Sequence, residues 1–137
     1  MVIVDTSVWI DYLNDKANPQ TLWLEFAIGY KNIGLSSLIL CEILQGFRDN
    51  EDALKTCDML LKFPVFEAGD MRLAIQSAEN YRSLRRKGIT IRSTIDCIIA
   101  TYCIEYDHQL LHKDSDFDAF EAHLGLRVLH PPEIALD

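Results

Sequence analysis

What is scarce in this chain narrows its function first. No apolar stretch approaches the ~18 residues of a membrane-crossing helix, so no membrane span is expected. The start, Met1-Val2-Ile3-Val4-Asp5, lacks the basic opening of a secretory leader, and Asp11 falls where the leader's apolar stretch would continue. A glycine-rich phosphate loop is absent, which argues against a nucleotide-hydrolysing motor. Six glycines and four prolines leave no linker or low-complexity segment, and no internal repeat is visible. The four cysteines, Cys41, Cys57, Cys97 and Cys103, form no Cys-x-x-Cys pair and have no histidine at a zinc-ligand spacing. They read as small apolar residues on helix faces, and a reducing cytoplasm suits them. Basic residues number 13 against 21 acidic ones, for a net charge of −8. Taken alone, that balance disfavours nucleic acid, because phosphate contacts need Lys and Arg.

What is present is an ordinary globular composition, 49% hydrophobic and 25% charged over 137 residues. This fits one domain spanning 1–137 with enough chain for a core. Short Val/Ile/Leu-rich runs place strands at 2–4, 33–35, 63–66, 109–112 and 127–129. Pro64 belongs near the start or edge of its strand. Helical periodicity covers 7–13, 21–28, 50–61 and 71–87. A further helix, capped by Ser36 or Ser37, runs to about 45 and stops at Gly46. Another starts at Ser93 and carries Ile95, Ile98, Ile99, Tyr102, Cys103 and Tyr106 around much of its circumference, so it is central. A short helical stretch begins at Asp114. Strands alternating with helices predict an α/β fold: a mainly parallel sheet of four to five strands with helices on both faces. Strand order does not follow from the pattern.

The informative residues are acids beside strand ends. Asp5 follows the first strand, and Asp114 follows Leu110-Leu111-His112, with Asp116 and Asp118 close behind. Glu42 sits among Cys41, Ile43 and Leu44, an odd place for a solvated acid. Asp96 lies in the first turn of the central helix, spaced from Ser93 like a capping box. Each has a structural explanation as a helix cap or an exposed helix residue. Together they say more, because the C-terminal ends of parallel strands share one edge. Two carboxylates ~5 Å apart at an effective dielectric of ~20 repel by roughly 3 kcal/mol. A hard divalent cation offsets that repulsion, and an all-oxygen ligand set suits Mg²⁺ or Mn²⁺. The natural chemistry of such a site is phosphoryl transfer to water.

At these residues the chain resembles PIN-domain ribonucleases of the VapC toxin group. The matching pieces are Val4-Asp5-Thr6-Ser7-Val8-Trp9-Ile10, Leu40-Cys41-Glu42-Ile43-Leu44-Gln45-Gly46, Asp96-Cys97-Ile98-Ile99-Ala100 and Leu111-His112-Lys113-Asp114-Ser115-Asp116-Phe117. The resemblance implies a Mg²⁺- or Mn²⁺-dependent endoribonuclease, a homodimer, and a cognate antitoxin that wraps the toxin and blocks its site. It implies Asp5, Glu42, Asp96 and Asp114 as the catalytic acids, with Asp5 and Asp96 the foremost metal ligands. Asp116 is an accessory candidate, and Ser7 or Thr6 holds Asp5 or a water at the metal. The family commonly has Thr-x-Asp before the last acid, where this chain has His112-Lys113-Asp114. The expected reaction is hydrolysis by a water that Asp114 or Glu42 orients, leaving a 5′-phosphate and a 3′-hydroxyl.

Two further features bear on partners. Arg82, Arg85, Arg86, Lys87 and Arg92 cluster just ahead of Asp96, placed to cradle an RNA backbone, to meet the antitoxin, or to face water at a helix end. Among Trp9, Tyr12, Leu13, Trp23 and Phe26, any residue left out of the core would serve an antitoxin segment or a dimer contact. A phosphatase or nucleotidase of another α/β family is the competing enzyme class. Its common form carries a second acid two positions after the first, where this chain has Ser7. A catalytically silent partner-binding module is the non-enzymatic alternative, and four acids at all four positions argue against it.

Overall fold

The computed structural model describes residues 1–133. Strands β1 (Val2–Val4), β2 (Ile33–Ser36), β3 (Val65–Phe66), β4 (Gln109–Leu111) and β5 (Arg127–Val128) form one sheet in the order β3-β2-β1-β4-β5. Every neighbouring pair is parallel. β1 is the middle strand and is buried along its length, which is why it reads Val-Ile-Val without polar alternation. Its register sets Val2 opposite Ile33 on one side, and Val2 and Val4 opposite Gln109 and Leu111 on the other.

The edge strands are the shortest, which limits the unpaired backbone they expose. β3 begins at Val65 rather than 63, because Pro64 has no N–H to give a ladder. The Pro64 carbonyl still accepts the Leu35 N–H at 3.1 Å. β2 lies tight against β3. A Cβ at Gly34 would meet Met1 Sδ and Phe66 Cε2 at 2.9 Å, so glycine is what lets these groups approach. β4 stops at Leu111, one residue before the expected end, and β5 stops at Val128.

Seven helices connect and cover the strands: α1 (Thr6–Leu13), α2 (Pro19–Ala27), α3 (Ser37–Gln45), α4 (Asn50–Leu60), α5 (Met71–Arg86), α6 (Thr94–Glu105) and α7 (Asp118–Leu124). A single 3₁₀ turn, Ser115–Phe117, precedes α7. α2 starts at Pro19, earlier than periodicity indicates. Asn18 Oδ1 accepts the Thr21 N–H at 2.9 Å, and Thr21 Oγ1 accepts the Asn18 N–H at 3.0 Å, a complete capping box with proline at the first position. α6 is central as expected, with Cys97, Ile99, Ala100, Thr101, Tyr102 and Cys103 all buried. Its Thr101 hydroxyl accepts from Asn80 of α5 at 3.0 Å, pairing these two polar groups across that interface. The main core joins β1, β2 and β4 to Trp9, Leu24, Ile39, Leu84, Ile99, Phe117 and Phe120. Among the described residues, no helix is long and apolar enough to cross a membrane.

Candidate metal centre

The C-terminal ends of β1, β2 and β4 share one edge, and the acids gather there. Asp5 is the first residue beyond β1 and caps α1. Its Oδ2 accepts the Ser7 N–H at 3.2 Å and the Ser7 hydroxyl at 2.7 Å. Its Oδ1 is buried and, among the described residues, has no partner. Capping and availability therefore coexist, one oxygen for each. Burial raises the Asp5 carboxyl to about 6; the Ser7 bonds pull it down and the charge of Glu42 adds to the rise.

Glu42 comes from α3, whose start is fixed by Ser36 at the end of β2 accepting the Ile39 N–H at 3.2 Å. Thr6 Oγ1 donates to Glu42 Oε1 at 2.9 Å, tying the first residue of α1 to α3. Thr6 thus holds Glu42, and Ser7 holds Asp5.

Asp96 occupies the first turn of α6, where Ser93 accepts its N–H at 3.2 Å. The reciprocal half of a capping box is not formed among the described residues, so the Asp96 carboxylate is not used on the cap. Burial, then the charges of Asp5, Asp114, Glu42 and Asp116 in that order, push its carboxyl up to about 7. One half-buried acid thus feels four others from three separate parts of the fold.

Asp114 caps the 3₁₀ turn, accepting the Asp116 N–H at 2.9 Å. That tight turn draws Asp116 inward. Asp96, Asp114 and Asp116 each offer a carboxylate oxygen, all within 4.8 Å of one another. Asp116 is therefore closer to the centre than an accessory role requires. Asp5 and Glu42 stand outside this trio, but their charges add to the rise at Asp96. His112 stands where a threonine is expected. Its Nδ1 accepts the Asp114 N–H at 3.1 Å, the part a threonine hydroxyl plays in a turn. Burial against Phe117, ring centroids 4.9 Å apart, holds its pKa below the ordinary histidine value. His112 is a turn acceptor rather than a base.

Among the described residues, Arg92 alone of the basic cluster meets an acid: its Nη2 donates to Asp116 Oδ1 at 3.2 Å. Arg85 lies over the Tyr81 ring at 5.6 Å, and Arg82 lines a groove of about 350 Å³ between α5 and α6. All five side chains, Arg82, Arg85, Arg86, Lys87 and Arg92, are on exposed residues. Of the N-terminal aromatics, Trp9 is fully buried, while Tyr12, Leu13 and Trp23 pack against the core. Phe26 is left out at 68% exposure, stacked on the exposed Tyr30.

Two residues beside the centre escape a reading of the acids alone. Asp11, in the second turn of α1, is buried and accepts from Lys113 Nζ and from Asn18 Nδ2. The Lys113 bond, first among its causes, holds the Asp11 carboxyl below the usual range. The signal was the spacing of Ser7 and Asp11, four apart on one face of a mostly apolar helix.

The donor set fits a hard divalent cation. It is all oxygen, it includes a buried unpartnered carboxylate oxygen, and it contains close acids that repel without a cation. A family model described as the PIN domain matches residues 2–122. Ribonuclease VapC11 of Mycobacterium tuberculosis and VapC ribonuclease Mb1587 of Mycobacterium bovis are each 28% identical over 120 residues, covering 86% of this chain and 90% of theirs. VapBC2 from Rickettsia felis, solved bound to a promoter DNA fragment, has a TM-score of 0.75 at 19% identity, covering 94% of this chain and 98% of that one. VapC20 of M. tuberculosis, a sarcin-ricin loop cleaving toxin, has a TM-score of 0.64 at 18% identity, covering 87% and 94%.

Proposed function

The chain belongs to the PIN-domain family, and from that premise we propose that it is a metal-dependent endoribonuclease of the VapC type, the toxin of a toxin–antitoxin pair. The observation that carries this reading is the trio Asp96, Asp114 and Asp116, whose carboxylate oxygens lie within 4.8 Å of one another, with the buried, unpartnered Oδ1 of Asp5 at the same sheet edge. Capping occupies one oxygen each of Asp5 and Asp114 and does not account for five acids near one sheet edge, whose repulsion is relieved by the cation that phosphodiester hydrolysis uses.

Asp5 Oδ1, Asp96, Asp114 and Asp116 would hold the ion, Mg²⁺ or Mn²⁺ by their oxygen chemistry. When bound, it neutralises phosphate charge and makes water acidic enough to attack. Ser7 fixes the Asp5 carboxylate through Oδ2 and leaves Oδ1 for the ion. Thr6 fixes Glu42 through Oε1, leaving Oε2 to orient the attacking water and take its proton. Asp114 shares that task from the opposite element. Arg92 balances Asp116, and the exposed arginines at the end of α5 supply the phosphate contacts that the net charge lacks.

The partners are an RNA substrate, a cognate antitoxin and a second copy of the chain. The named relatives are VapC ribonucleases, and the Rickettsia structure is a VapBC assembly, which supports this set. One sheet with one main core supports a single domain, and four free cysteines suit the cytoplasm. Cleaving RNA with Mn²⁺ and mapping the fragment ends tests the reaction. The expected products carry a 5′-phosphate and a 3′-hydroxyl. A 2′,3′-cyclic phosphate contradicts the reading, because it requires attack by the ribose 2′-hydroxyl.

A further inference from the structure

The ladder between β1 and β4 holds Asp5 by its backbone but ends before Asp114. The last pair in the ladder is Val4 opposite Leu111, followed by the Asp5 N–H donating to the Leu111 carbonyl at 2.9 Å. Beyond that point the two chains separate, one into α1 and the other into the loop that carries Asp114 and Asp116. Two side chains on one face of α1 reach across the gap. Ser7 Oγ accepts the Lys113 N–H at 3.2 Å while donating to Asp5 Oδ2 at 2.7 Å. One turn further along, Asp11 accepts from Lys113 Nζ.

We propose that Asp11 and Lys113 form a latch, with Ser7 as its bridge, that fixes the Asp114 loop against α1 and so sets the spacing between Asp5 and Asp114. This rests on the nuclease reading above. In this assignment Asp11 and Lys113 act through Ser7 and the Asp114 loop and are positioning residues.

Three observations carry the assignment. Asp11 is only 8% exposed, and a carboxylate taken from water is costly unless it is paired. Its pairing is deliberate: Asn18 Nδ2 donates to the same oxygen at 3.1 Å, and Lys16 stands 4.0 Å from the other. Lys113 is anchored twice, by backbone and by side chain, to residues four apart on α1. A lysine fixed at both ends leaves the next residue, Asp114, little freedom. The same loop is closed from its other side by Arg92 on Asp116.

The test compares wild type, the double variant Asp11→Asn/Lys113→Met, and Lys113→Arg. The double variant removes both charges, so no buried carboxylate is left unpaired. Amide hydrogen exchange over 112–117 is measured in EDTA, and RNA cleavage is measured with Mn²⁺. In the double variant exchange in this segment accelerates, kcat falls about 10–100-fold, KM changes less than about threefold, and the melting temperature stays within a few degrees. Lys113→Arg, which still reaches Asp11, restores most of both. Unchanged exchange and kcat in the double variant overturn the latch. A raised KM at constant kcat also overturns it, assigning Lys113 to RNA contact instead. Faster exchange throughout the chain, with a large loss of thermal stability, makes the pair a general fold element and overturns it too. A wild type that cleaves no RNA defeats the nuclease reading by itself, and the exchange measurement then decides the latch alone.

Discussion

At the scale of single residues, the centre is a set of carboxylates held where they repel. Asp5 and Asp96 sit at about 6 and about 7 in the folded chain, against 3.8 when unperturbed. The folded form therefore keeps protons that the unfolded chain has released. Their stabilising contribution is complete below about pH 4 and is lost as pH rises through 6 to 7. Asp11 works the other way: its carboxyl is depressed, so its contribution is present at neutral pH and lost on acidification. The buried, depressed His112 also favours the folded state as pH rises. Comparing wild type with Asp96→Asn separates Asp96 from these opposing groups. In EDTA the variant matches wild type below about pH 4 and exceeds it near pH 8 by about 1–2 kcal/mol, after screening by solvent is allowed for. Thermal melts across that range read the gap. A variant that is less stable at pH 8 would return Asp96 to a capping role.

At the scale of elements, α6 delivers Asp96 and Ser93 sets where α6 begins. Ser93→Ala removes the one side-chain cap at that end and costs about 1 kcal/mol. Urea melts read the loss, and cleavage falls with it because the first turn carries Asp96. A loss of stability with full activity would separate the cap from the site. This cap also shows what the sequence could not resolve. Ser93 and Asp96 have capping-box spacing, but spacing does not say which half of the box is formed, and only Ser93 takes part. β1 was legible because a strand buried along its length must be apolar throughout. Its place in the middle of the sheet was not, since apolar runs carry no record of their neighbours. The four principal acids were legible as residues beside strand ends. The approach of Asp116 to Asp96 was not legible, because it depends on a 3₁₀ turn closed by its own N–H on Asp114. Asp11 and Lys113 lie 102 positions apart, and nothing local pairs them.

At the scale of the whole molecule, the proposed nuclease has to bind a polyanion with a chain of net charge −8. Arg82, Arg85, Arg86, Lys87 and Arg92, five of its 13 basic residues, lie toward and just beyond the end of α5, close in sequence to Asp96, and are exposed. Arg85→Ala with Arg86→Ala should weaken RNA cleavage at moderate salt and flatten its salt dependence, by up to about one unit of log–log slope for each lost phosphate contact. Neither arginine lies in the core, so the melting temperature should hold. Unchanged cleavage and slope would move this patch from RNA to the antitoxin. The central claim is that the gathered carboxylates form a working metal site. Its most direct test is RNA cleavage with Mn²⁺, with and without EDTA, beside Asp5→Asn. The wild type should cleave with Mn²⁺, lose that activity in EDTA, and lose it equally when Asp5 becomes asparagine. Cleavage that survives both EDTA and Asp5→Asn would contradict the account.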